Sequence, residues 1–141
     1  MPTTQIANPE GAFGLDKFSG LDYELYESAE TSTQIDKGMV VSIDTAGKIL
    51  KATTTVEPRL VIGVALEDIP AGEVGPIATR GVVKSVKAEG AIAANALVQR
   101  SGTTAGSVAT FTSVATAIGQ VTGVAIAAAA SSLVDVYVQK M

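Results

Sequence analysis

The 141-residue chain contains no histidine, no cysteine and no tryptophan. Histidine is the commonest general base, cysteine the commonest catalytic thiol, and the two together supply the usual nitrogen and sulfur ligands of transition metals. Without cysteine there are no disulfides, so the fold is held by burial alone, and cysteine usage says nothing of the redox compartment. Long apolar runs are also missing. The longest, 124–130, is mostly alanine and falls well short of the roughly 20 residues of a membrane helix. The first residues, MPTTQIANPEGAFG, offer neither a basic nor an apolar signal region, so the expectation is an unprocessed protein without membrane contact.

Other chemistries fail on spacing. Glu67 and Asp68 are adjacent, and neighbours in an extended chain point to opposite faces, so the pair does not converge on one bond or ion. No G-x-S-x-G elbow, S-x-x-K pair or P-loop is present, and the acids between Asp16 and Asp36 lack calcium-loop spacing. Arg80, Lys84 and Lys87 have no aromatic neighbours in sequence, unlike a single-strand nucleic-acid platform. The reading is therefore a non-enzyme with no catalytic residues, no cofactor, no metal, no small-molecule substrate and no nucleic-acid partner.

What is present is uneven. Glu10, Asp16, Asp22, Glu24, Glu27, Glu30 and Asp36 stand against Lys17 alone in residues 1–36, whereas the remainder is mildly basic. An acidic segment disfavours phosphate backbones and suits a basic protein surface, or simply solvates a tail. The same stretch holds Phe13, Leu15, Phe18, Leu21, Tyr23, Leu25 and Tyr26, separated by Gly11, Gly14 and Gly20 and without sustained helical period. It reads as an extended arm over 1–36, with a short edge strand at 22–28 where apolar and polar residues alternate. Its aromatic side chains either fold back onto their own domain or anchor on another protein.

From residue 37 to 141 the chain is a series of short β-branched runs divided by turn residues: 39–43, 48–52, 60–66, 74–78, 81–86, 96–100, 107–111, 117–126 and 133–139. Such spacing predicts an all-β sandwich or barrel. The order of strands and turns occurs twice. The second copy follows the first by 57 residues at Met39 and Ala96 and by 60 at Gly63 and Gly123. The expectation is a small pseudo-symmetric β-barrel or sandwich built from an internal repeat, with an extended amino-terminal arm. Gly63 and Gly123 each precede Val-Ala in a central-looking strand, where glycine is tolerated at a sharp bend or a close backbone approach, and barrel bends are favoured over ligand contact.

Lys37-Gly38-Met39-Val40-Val41, Val61-Ile62-Gly63-Val64-Ala65-Leu66, Ala71-Gly72-Glu73, Thr79-Arg80-Gly81-Val82-Val83 and the closing Thr122-Gly123-Val124-Ala125-Ile126 together resemble the capsid decoration, or cement, proteins of tailed bacteriophages. The resemblance covers about 37–141. It implies a virion protein, made in the host bacterial cytoplasm, that sits on the outer surface of an expanded head as a homotrimer and locks neighbouring major capsid proteins together without catalysis. By analogy with the role of the lambda head decoration protein, the arm would bind the capsid through Phe13, Leu15, Phe18, Leu21, Tyr23, Leu25 and Tyr26, and removal of residues 1–21 would abolish binding while the barrel still folds. The alternative is a phage tail, fibre or surface-adhesion β-module that binds a receptor or glycan.

Overall fold

A computed structural model describes residues 20–52, 60–101, 104–111, 121–125 and 132–139, and all statements below concern these. The regular structure is β throughout: β1 (Asp22–Glu27), β2 (Val40–Ile43), β3 (Ile49–Lys51), β4 (Val61–Ala65), β5 (Val74–Lys87), β6 (Leu97–Arg100), β7 (Val108–Thr110), β8 (Val121–Ala125) and β9 (Leu133–Gln139). The strands join in the order β3-β2-β4-β5-β9-β8-β6-β7, with β1 laid against β5. Of the two expected architectures, the sandwich-like one forms and the closed barrel does not. β3 and β7 remain edges, and beyond its hairpin each carries one parallel β-bridge, Ser28 with Ile49 and Ala88 with Val108.

The runs read as separate strands at 74–78 and 81–86 are one strand of 14 residues. No turn residue interrupts Thr79-Arg80, and Gly81, at φ +115°, continues the ladder with Val138 opposite. The amino-terminal part of β5 pairs with β1 and β4, and the carboxyl-terminal part with β9. Segment 22–36 therefore contributes a paired strand and, at Ile35, a bridge to Ile69.

The repeat is visible in the register. Val41 lies opposite Gly63 and Val98 opposite Gly123, and in both places a bulge follows at the next residue of the strand. The turn that enters each half is the same: Gly38 N–H donates to Ala65 O at 2.9 Å and Asn95 N–H to Ala125 O at 2.8 Å. Both turn residues have positive φ, +89° at Gly38 and +68° at Asn95, a conformation for which glycine and asparagine are the least strained choices. By the same register β1 corresponds to the carboxyl-terminal part of β5, so each half has five strands and β5 closes the first while opening the second.

Two apolar clusters hold the molecule. One belongs to the first half: Ile35, Val41, Ile49, Ile62, Ala65, Ile69 and Ile77. The other contains Val98, Val108, Ala125 and Val136, the counterparts of Val41, Ile49, Ala65 and Ile77, packed with Val40, Val64 and Ala78 from the reverse face of the first half. The halves thus nest, the outside of the first against the inside of the second. Backbone bonds stitch them: Val40 N–H to Gly106 O at 2.8 Å, Gly106 N–H to Ala52 O at 2.9 Å and Lys87 N–H to Gly38 O at 2.9 Å.

Candidate protein-binding surface

β1 carries the described part of the predicted binding segment. Its register against β5 sets Tyr23, Leu25 and Glu27 on one face, opposite Ala78, Pro76 and Val74. Leu25 is 65% exposed and Val74 61%, and Tyr23 is also open to solvent, so the outer face of β1 and of the start of β5 is apolar and exposed, while Pro76 and Ala78 on the same face are buried. On the other face Tyr26 packs against the first-half cluster, and its hydroxyl donates to the Glu24 carboxylate. That hydrogen bond, with burial and the Glu24 charge adding to it, pushes the Tyr26 phenol from 10.0 up to about 12. Glu27 holds Lys48 at 3.0 Å, which ties β1 to the β2–β3 hairpin. Leu21 does not join this face. It packs against the larger core cluster and abuts Gly81. Phe13, Leu15 and Phe18 lie outside the described residues.

Gly63 and Gly123 are buried and answer to close approach. A Cβ on Gly63 would stand 1.9 Å from Ala78 O, and one on Gly123 1.9 Å from Tyr137 O, distances no side chain can occupy. Ala78 and Tyr137 are themselves equivalent in the repeat, so the same carbonyl fills the same space twice.

A second exposed apolar surface escaped the sequence reading. Val82, Tyr137 and Leu97 lie in one cross-strand row over β5, β9, β8 and β6, joined through the backbone position of Val124. Val82, Leu97 and Leu133 are each nearly half exposed, and Tyr137 is half-buried. Along β9 Tyr137 alternates with the buried Val136 and Val138. What was missing was the pairing that lines it up with Val82 and Leu97, strands distant in sequence.

The polar clusters are structural in kind. Asp44 Oδ1 accepts from Ala46 N–H at 2.8 Å and Lys48 N–H at 2.9 Å and closes the β2–β3 turn, while Asp68 Oδ1 accepts from Lys37 N–H at 2.8 Å across two loops. The Ser101 hydroxyl donates to the Glu89 carboxylate and accepts from Thr104 N–H at 2.9 Å, fixing the loop before β7. Among the described residues no three acidic, histidine or cysteine side chains gather as metal ligands, and no helix is long and apolar enough to cross a membrane.

The chain is thus a tandem all-β fold, held by aliphatic burial, with apolar strand faces exposed to solvent. A sequence model of the phage cement protein family matches residues 28–139, and the chain belongs to that family. The match spans both halves of the repeat and begins one residue after β1 ends. No curated protein matches the chain.

Proposed function

We propose that the protein binds the outer surface of an expanded phage head and cements neighbouring major capsid proteins, as a homotrimer, without catalysis. It is made in the host bacterial cytoplasm and ends in the virion. Family membership carries this reading. The uncovered apolar face of β1 agrees with it: a strand edge supplies main-chain hydrogen bonds, and Tyr23 and Leu25 fill alternate pockets on a partner. Phe13, Leu15 and Phe18 would extend the same contact, while Tyr26 packs on the core side of β1. Many identical attachments over one shell add up by multivalency, so modest single sites suffice against internal pressure.

Co-sedimentation of the purified protein with expanded, undecorated heads of its own phage tests the role. Saturable binding at about one copy per capsid subunit is the expected result, and absence of binding overturns the reading. Because Leu21 packs on the core, the truncation that tests the arm removes residues 1–19 rather than 1–21. The shortened protein should stay folded by circular dichroism and lose head binding.

A further inference from the structure

The repeat allows the two edge strands to be compared bond by bond. Ala52 N–H donates to Val40 O and Phe111 N–H to Leu97 O, both at 2.9 Å, so on β3 and β7 alike the preceding N–H, that of Lys51 and that of Thr110, points away from the sheet. On β3 the chain closes this edge itself. Ala29 N–H donates to Ile49 O at 2.7 Å, and one residue on, the Glu30 carboxylate accepts from Lys51 N–H at 3.0 Å. On β7 the first of these bonds is kept and the second is not. Glu89 N–H donates to Val108 O at 2.8 Å, but the next residue is Gly90, at φ +78°, which has no side chain to offer. The stretch from Gly90 to Asn95 is also three residues shorter than that from Glu30 to Gly38. Among the described residues nothing bonds Thr110 N–H.

A cation stands beside this gap. Arg100 lies opposite Val108 where Ile43 lies opposite Ile49, so a guanidinium replaces an aliphatic side chain that packs on the first-half cluster. Val98, Arg100, Val108 and Thr110 share one face of the β6–β7 pair, and Arg100 is diagonal to Thr110, roughly 7–8 Å away and within reach of a long side chain. The Arg100 Nε is buried without a hydrogen-bond partner, the guanidinium has no ion pair among the described residues, and burial lowers its pKa. The fold requires no charge at this place, since the first half is built with isoleucine there. The acid on the same edge, Glu89, is bonded by Ser101 and Thr104.

We propose that the β7 edge is a second attachment point, where an extended segment of the major capsid protein lies along β7 and sets an Asp or Glu carboxylate between Thr110 N–H and the Arg100 guanidinium. The first half is the template for the partner's chemistry: a carboxylate carried on backbone beside the edge, as Glu30 is carried beside β3. Main-chain bonds supply the affinity of strand addition, and the charge-assisted pair selects an acidic segment. β7 ends the strand order whereas β1 lies on β5, so the two attachments are on different strands and one copy can hold two capsid subunits, as a cement must. The inference rests on the capsid role proposed above.

Co-sedimentation with expanded, undecorated heads tests it with three variants. Arg100→Met removes the cation and Thr110→Pro the edge N–H, and each should weaken head binding about tenfold. Proline is tolerated on an edge whose N–H faces outward, and circular dichroism checks that folding is retained. Arg100→Lys keeps the charge and should recover part of the affinity. In urea unfolding of the unbound protein, Arg100→Met should be at least as stable as the wild type, because an unpaired, partly buried cation gives way to an apolar side chain in the place of Ile43. A loss of stability with unchanged head binding would make the arginine structural and overturn the proposal. Wild-type binding that either Arg100→Met or Thr110→Pro reproduces would overturn this contact and leave the capsid role standing, and heads that fail to bind the wild-type protein would overturn both.

Discussion

At the scale of single residues, Gly63 and Gly123 show how a backbone requirement is written into sequence. Each lies beneath a carbonyl of the neighbouring strand, so alanine at either position must push that strand away. Gly63→Ala and Gly123→Ala should each cost roughly 3 kcal/mol in urea unfolding, and comparable losses at the two sites would verify their equivalence. Tyr26 gives a second residue-scale expectation. Its phenol titrates at about 12 instead of 10.0, because the neutral hydroxyl donates to Glu24 and is partly buried. A folded pKa above the unfolded one contributes stability that is fully present below pH 10 and is lost as pH rises through 12. In a Tyr23→Phe, Tyr137→Phe background, phenolate absorbance should rise late, and Glu24→Ala should bring the midpoint down toward the ordinary tyrosine range. An unmoved midpoint would remove Glu24 as the cause.

At the scale of elements, β5 rewards closer reading. Ser85 is the residue by which the second half exceeds the first at this strand; it sits at φ +61°, and the Asp135 carboxylate takes its N–H. Asp135→Ala should cost about 1 kcal/mol in thermal or urea unfolding, since the bulge then keeps its strained φ without that bond. Much of this level was legible in sequence. The strand at 133–139 was read with its final bounds because Val134, Val136 and Val138 alternate with polar and aromatic neighbours, and the Gly-Val-Ala elements marked β4 and β8 as equivalent. β5 was read as two strands because a glycine at 81 signals a break, and only the partner Val138 shows that the ladder runs through it. The exposed faces were half legible: alternation exposes Tyr23 and Leu25, but nothing local reveals that Val40 and Ala78 are fully covered while Leu97 is open and Tyr137 only half-buried. That difference arises from the nesting of the halves, a contact between residues far apart in the chain.

At the scale of the whole molecule, the two halves are repeats but not domains. They share β5, and the larger core cluster draws Val40, Val64 and Ala78 from one half and Val98, Ala125 and Val136 from the other. Unfolding should therefore be a single cooperative transition, with calorimetric and van't Hoff enthalpies in agreement, and two separated transitions would contradict the shared core. A strand of 14 residues that runs through both halves also has a mechanical consequence. Tension applied between its ends is carried by covalent backbone that is already extended, and the hydrogen bonds to β1 and β9 are loaded only where force enters through those partners. Along β5 the subunit therefore acts as a tie rod that holds its two halves at a fixed separation.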